Sequence, residues 1–309
     1  MKAPAISVLL PVYNAAPYLQ PALTSLSAQT WEDFEVIAID DGSTDASLDI
    51  LRAHQQLDPR LLVLSRANTG IVGALNEALG AARAPFLARM DADDVSEPQR
   101  FARQRAALNA DSSLVALGSA VTFIDERGRC VQACPRPLAH REIEERLLAG
   151  DGGAIIHPSA MFRTNLVRAL GGYRPSAQYL EDLDLYLRLG LVGNLGNLAE
   201  PLLRYRIHNT SINFTQSHRR LEIKSTIMRE AYYARGLTYA PVTAPEPPPG
   251  HGDSLVHAQE WAITALQFGS RRVAVAHGVR AIQLAPRDRQ SWRALKYALT
   301  APVSVTPTC

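Results

Sequence analysis

Residues 86–94 read FLARMDADD: an apolar run that stops on Asp91, Asp93 and Asp94. Continuous apolar runs of this length, bounded by polar clusters, suit a strand buried on both faces. Just upstream, Ile71–Ala82 places Ile71, Ala74, Leu75, Ala78 and Leu79 on one helical face. Leu61–Leu64 reads as another strand and Phe34–Ile39 as a further one, ending in Asp40-Asp41-Gly42-Ser43-Thr44-Asp45. A helix follows with Leu48, Ile50 and Leu51 inward, and Ser43 or Thr44 is its expected cap. Ile6–Val12 is the first strand, and a helix starts near Pro17. Downstream, a helix is expected over about 98–110 and a strand over Leu114–Phe123. Strands alternating with helices imply right-handed crossovers and a parallel sheet, an α/β fold.

Every strand in this series ends in acids or amides. Tyr13-Asn14 follows the first, Asp40-Asp41 the second, Asn68 the third and Asp91/Asp93 the fourth. Open α/β sheets bind ligands at their strands' carboxyl ends, so the four clusters converge on one candidate site. Two carboxylates in Asp-x-Asp repel each other unless a cation lies between them. Oxygen ligands suit Mg²⁺ or Mn²⁺, which in turn bind diphosphate oxygens. No Gly-x-Gly-x-x-Gly follows the first strand and no Gly-x4-Gly-Lys occurs, which removes dinucleotide and P-loop readings.

The 309 residues are 47% hydrophobic and 20% charged, with a net charge of +2. These values describe a globular chain and exclude a strongly basic nucleic-acid binder. No apolar run reaches the ~18 residues of a membrane span. The first residues lack a signal-peptide pattern, and three cysteines make no disulfide framework or zinc cluster. The expectation is a cytoplasmic protein. Residues 200–309 carry 14 Lys and Arg against 7 Asp and Glu, so the last third is basic and the rest acidic.

Past residue 114 the pattern loosens. A hairpin is expected around Glu126-Arg127-Gly128, then a helix over His140–Ala149, an extended Ala154–Phe162 and a short helix ending at Gly171-Gly172. A helix over Leu180–Leu189, short strands at Leu195–Leu198 and Leu202–Tyr205, and a long helix over Phe214–Arg235 complete it. The Pro- and Gly-rich stretch 237–254 reads as a linker between a domain over 1–236 and a helical tail over 255–309. That tail resembles a tetratricopeptide-type hairpin, with Trp261, Phe268 and Trp292 as its expected core. A single unit cannot bury its own face, so it needs something to pack on.

Pro11-Val12-Tyr13-Asn14, Asp40-Asp41-Gly42-Ser43-Thr44-Asp45, Asn68-Thr69-Gly70, Asp91-Ala92-Asp93-Asp94 and Glu181-Asp182 occur in an order and spacing that resemble family 2 glycosyltransferases. The resemblance covers about residues 5–210. It implies an inverting enzyme with a GT-A type nucleotide-sugar-binding sheet, helices on both faces, here with a small α-helical C-terminal appendage. The implied donor is a nucleotide-sugar, with UDP the commonest carrier. The implied acceptor is a glycan or lipid-linked glycan in bacterial polysaccharide assembly, and Mn²⁺ or Mg²⁺ is the implied cofactor.

By the same resemblance, Pro11, Tyr13, Asn14 and Asp41 hold base and ribose, helped by Arg66 or Asn68. Asp91 contacts ribose or sugar, Asp93 ligates the metal, and Asp182 is the general base with Glu181 as its competitor. His157, Arg206 and His208 fall on the acceptor or diphosphate side. His157 is equally readable as a packed histidine and Arg206 as a surface ion pair. The basic tail suggests peripheral contact with the inner face of the cell membrane. Two rival readings remain. Asp91-Ala92-Asp93-Asp94-Val95 also fits a haloacid-dehalogenase phosphatase, which needs a downstream Lys from Lys224 or Lys296. A non-catalytic nucleotide-sugar binder is the other.

Overall fold

The computed structural model describes residues 3–208, 217–240 and 252–303. They form two compact units, one over 3–121, 135–205 and 217–240, the other over 122–134, 206–208 and 252–303.

The first unit opens with the expected alternation: β1 (Ile6–Val12), α1 (Ala16–Ser27), β2 (Phe34–Asp40), α2 (Ser47–Leu57), β3 (Leu61–Ser65), α3 (Ile71–Ala81) and β4 (Phe86–Arg89). These strands are parallel in the order β3-β2-β1-β4. Val12 lies level with Asp40, and Asp40 with Ser65. Tyr13, Asp41 and Arg66 therefore leave the same edge of the sheet. β4 stops level with Leu9, three residues before β1 does. At ~3.3 Å per residue the chain turns out of the sheet roughly 10 Å early, and the turn is the acidic loop.

Beyond β4 the chain runs through β5 (Val95–Ser96), α4 (Arg100–Ala110), β6 (Leu114–Ile124), β7 (Cys130–Cys134), α5 (His140–Leu148), β8 (Met161–Arg163), α6 (Thr164–Ala169), α7 (Glu181–Leu189), β9 (Asn194–Arg206) and α8 (Ser217–Ala234). Here the expectation of a parallel sheet fails. β8 lies between β4 and β6 and is antiparallel to both, and β5 is antiparallel to β9. A three-residue strand has too few residues to show a period, which is why 154–162 read as merely extended. The segment holds two 3-10 turns before β8. The two short strands expected near 195–205 are one strand, with Pro201 in an exposed stretch where a missing N–H costs little. α2 starts at Ser47 rather than beside Ser43 or Thr44. Asp45 supplies the acceptor there, taking Ser47 N at 2.9 Å and Ala16 N of α1 at 3.0 Å. The core joins Leu9, Ile37 and Ile39 of the sheet to Leu75 and Ala78 of α3 and, beyond, to Phe162, Leu183 and Leu187.

The second unit contains a hairpin over 122–134 and helices α9 (Gly252–Thr264), α10 (Arg271–Leu284) and α11 (Arg289–Thr300). The sequence grouped the hairpin with residues 1–236, but here it closes the helical unit. Val131 of β7 joins Trp261, Ala262, Leu266, Val273 and Ala294 in one apolar cluster. Thr264 Oγ1 donates to Val131 O at 2.6 Å. At the turn, Asp125 accepts from Arg127 N and Arg129 N at 3.0 Å each, from Arg129 Nε at 2.7 Å, and pairs with His277 Nε2 at 3.1 Å. These bonds, and the neighbouring Arg129 charge, hold the Asp125 carboxyl far below its ordinary range against the opposing cost of burial. The helical unit thus covers its apolar face with a hairpin from earlier in the same chain. Trp261 is in that core, whereas Trp292 is 55% exposed, contrary to the expectation. Most of the 237–254 linker lies outside the described residues. Among the described residues, no helix is long and apolar enough to cross a membrane.

Candidate active site

The loops after β1 and β2 are laced together. Asn14 takes a left-handed backbone (φ 49°), which an Asn tolerates, and its Oδ1 accepts from Thr44 N at 2.8 Å. Asn14 N donates to Ser43 Oγ at 3.0 Å. Asp40 accepts from Ser43 N at 3.2 Å and Ser65 Oγ at 2.8 Å, so it holds the loop from beneath. Tyr13 stands 53% exposed beside these loops, while Pro11 is half-buried in β1.

Asp41 is 3% exposed. Its Oδ1 accepts from Arg66 Nε, Arg66 NH2 and Thr69 N at 2.9–3.0 Å, and its Oδ2 from Gly70 N at 2.8 Å. Two residues read as base-holders, Asp41 and Arg66, are therefore bonded to each other. Glu77, on the next helix, takes the other side of the Arg66 guanidinium at 2.8 Å. Asn68 is exposed on the same loop. Gly42 makes this approach possible: at φ 76°, a Cβ there would fall 2.8 Å from Asn68 N.

At the end of β4, Asp91, Asp93 and Asp94 bring carboxylate oxygens within 4.8 Å of one another. Beneath them Arg89, 2% exposed, ion-pairs with Asp91. Its Nε is buried without a hydrogen bond among the described residues. Arg100, wholly buried, donates to Arg89 O at 2.7 Å and Ala160 O at 3.3 Å. Burial pulls the Arg100 guanidinium down to about 9, with Asp94 opposing and Arg89 adding. Desolvation raises the Asp91 carboxyl, and the charges of Asp93 and Asp182 raise it further against the Arg89 pair. Burial, then Asp94, Asp91 and Asp93, likewise push up the Tyr205 phenol. Three like charges in so small a space, with hard oxygen donors, suit a divalent cation.

The second carboxylate pair opens α7. Tyr179, two residues before it, has φ 75°, a conformation that costs a bulky residue about 1–3 kcal/mol and clusters at functional sites. Glu181 is 7% exposed, and its Oε2 has no hydrogen-bond partner among the described residues. Burial raises its carboxyl to about 7, with the Asp182 charge and then Asp91 adding while Arg89 opposes. Asp182 is half-buried and accepts from Leu183 N at 2.7 Å through Oδ1. Asp184, fully buried, is clamped by Arg174 and by Arg188 and serves to anchor the helix.

His157 is packed. It is buried, with Nε2 3.0 Å from the Tyr173 hydroxyl and with the Phe162 and Tyr186 rings around it. Desolvation, aided by the Arg89 charge, keeps its imidazole neutral. Arg206 lies in the second unit, where NH1 donates to Asp125 O at 3.0 Å and Glu126 O at 3.3 Å. It is thus a buried hairpin anchor rather than a surface ion pair, and half-buried His208 follows it in that unit. The charges of Asp93, from the same loop, and of Asp182, from the start of α7, both act on Asp91.

Sequence reasoning missed Arg89, Arg100 and Tyr173. A cation inside an apolar strand, as in Phe86-Leu-Ala-Arg89, was the available signal for the first.

A family model described as glycosyl transferase family 2 matches residues 7–171. An uncharacterized glycosyltransferase from Haemophilus influenzae is 31% identical over 74% of this chain and 74% of its own length. The O-antigen biosynthesis glycosyltransferase WbnJ of Escherichia coli is 32% identical over 67% of this chain and 81% of its own. Among solved structures, S. aureus TarS in complex with UDP-GlcNAc aligns over 95% of this chain and 90% of that one, with a TM-score of 0.59 at 18% identity. The mannosyltransferase PcManGT from Pyrobaculum calidifontis, in complex with GDP-Man and Mn²⁺, aligns over 98% and 83% with a TM-score of 0.52 at 18% identity. The structural likeness carries the GT-A type fold, and the sequence match displaces the phosphatase reading. The chain belongs to glycosyl transferase family 2 and is a glycosyltransferase.

Proposed function

We propose that this enzyme moves a sugar, with inversion, from a UDP-sugar to a hydroxyl of a glycan or lipid-linked glycan in bacterial polysaccharide assembly. The observation that carries the reading is the carboxylate cluster of Asp91, Asp93 and Asp94 at the end of β4, with the charge of Asp182 at the start of α7 acting on Asp91. Relatives named for O-antigen and amylovoran biosynthesis support the pathway class. TarS bound to UDP-GlcNAc supports the donor class.

Asp93, with Asp91 and Asp94, would hold Mn²⁺ or Mg²⁺. The ion would neutralise charge on the departing diphosphate. Tyr13 offers an exposed ring to the base, and the loops carrying Asn14, Asp41, Arg66 and Asn68 frame the nucleoside. Asp182 takes the proton of the attacking hydroxyl as the bond to the anomeric carbon forms. Attack opposite the leaving group in a single displacement inverts that centre. His157, neutral and packed, supports this floor and carries no charge to the diphosphate.

The test is release of nucleoside diphosphate from a panel of UDP- and GDP-sugars with Mn²⁺, with and without chelator. Asp93→Ala is expected to abolish release and to remove the Mn²⁺-dependent melting shift produced by UDP. Full turnover in chelator, or wild-type behaviour of Asp93→Ala, would overturn the metal assignment. A product with retained anomeric configuration would overturn inversion.

A further inference from the structure

A glycine-rich loop, Gly150-Asp151-Gly152-Gly153, borders the carboxylate assigned as the base. A Cβ built on Gly152 would lie 3.5 Å from Leu183 Cβ, 3.6 Å from Asp182 Oδ2 and 3.7 Å from Oδ1, so the loop runs at ordinary contact distance alongside Asp182. At one end of the loop the side chain of Lys224, from α8, lies across Gly150. A Cβ there would fall 2.3 Å from Lys224 Cε and 2.7 Å from Nζ, at a glycine whose φ is 81°. At the other end, Arg136 NH1 donates to Gly153 O at 2.9 Å. Asp151, the loop's own acid, accepts from Gly153 N at 2.9 Å through Oδ1.

Lys224 forms no hydrogen bond or ion pair among the described residues. It is half-buried, so its ammonium has lost part of its water without gaining a carboxylate. A chain that relies on arginine has lysine only at 2, 224 and 296. An ammonium is a compact point charge that meets an oxyanion from any direction. Gly150 and Gly152 are two residues apart, at most about 7 Å of extended chain, so Lys224 and Asp182 border the same short loop.

We propose that this loop and Lys224 form a subsite for an oxyanion carried by the acceptor, a phosphate or a sugar carboxylate, on the same loop that borders the base. The inference rests on Asp182 as the base. Arg136 fixes the loop and adds a second positive charge. Together the two cations offset the repulsion that Asp151, Glu181 and Asp182 impose on an incoming anion. A neutral acceptor would leave Lys224 idle.

The test reads Lys224 directly, because three lysines are easily resolved by mass spectrometry. The full chain is lysine-acetylated under limiting reagent with UDP and Mn²⁺ present, so that the donor site is filled, and again without them. The probes are inorganic phosphate and glucuronate, with chloride at matched ionic strength as control. Phosphate, glucuronate or both should slow acetylation of Lys224 at least fivefold, with Lys2 and Lys296 unchanged. The arm that protects identifies the oxyanion. Equal rates at Lys224 with every probe, or parallel slowing at all three lysines, would overturn the proposal. If Asp182→Asn retained transfer while Lys224 was still protected, the base assignment would fall and the anion site would stand. No protection alongside an inactive Asp182→Asn would mean the reverse.

Discussion

The Glu181-Asp182 pair sets the chemistry at the residue scale. Asp182→Asn keeps the shape of the side chain but cannot take a proton, so transfer should drop by about 10²–10⁴-fold with UDP affinity within twofold of wild type. Wild-type turnover by that variant, with Glu181→Gln inactive, would exchange the roles. Glu181 titrates near 7 because it is buried beside Asp182. Its folded value lies above its unfolded one, so the folded state binds the extra proton. Stability is therefore highest below about 4.5 on this account and falls as pH rises toward 7. Glu181→Gln removes the cost of ionising a buried group. It should raise the melting temperature at pH 8, a gain on the order of 3 kcal/mol from the size of the shift, and raise it far less at pH 5. Equal melting shifts at both pH values would show that Glu181 is ionised freely in the fold.

At the scale of elements, close backbone approach governs the helical unit. A Cβ at Gly278 of α10 would lie 2.9 Å from Leu295 Cα of α11, backbone that cannot swing aside. Gly278→Ala should cost about 1–3 kcal/mol and lower the melting temperature, checked by calorimetry. Such a contact was invisible in the sequence, where Gly278 interrupts a helical pattern without explanation. Strands β1 to β4 and helices α1 to α4 were legible because each carries enough residues to show its period. The acidic strand ends were legible because the parallel topology gathers them at one edge. β5 and β8, at two and three residues, and the antiparallel insertion of β8 were not, since tertiary pairing rather than local pattern creates them. Among site residues, Asp91 and Asp93 stood out by their chemistry, whereas Asp182 was picked out from Glu181 only by the family resemblance. The partners that fix them, Arg89 and Arg100, depend on contacts such as Arg100 with Ala160, 60 positions away. The role of His157 as packing followed from Tyr173 and Tyr186, whose rings only the folded chain brings around it.

For the whole molecule, the last helix bears on where the enzyme works. α11 exposes Arg289, Arg293 and Lys296 together with Trp292, Tyr297 and Leu299, and has no acidic residue. We propose that this face touches an anionic lipid surface, where each cation is worth about fivefold in partitioning and salt weakens the attraction. Replacing the three cations with Gln should abolish cosedimentation with phosphatidylglycerol vesicles and leave the melting temperature unchanged. Salt-independent binding, or none by the wild type, would refute the membrane role. Removing the tail is the poorer experiment, because it would strip the hairpin over 122–134 of its cover. That hairpin also imposes an order on biosynthesis. Asp125 leaves the ribosome 152 residues ahead of its partner His277. At synthesis rates of about 5–20 residues per second, it waits on the order of ten seconds. Throughout that interval Val131 lacks the cover of α9, α10 and α11, so the nascent chain carries an uncovered apolar face in its middle until those helices have been made.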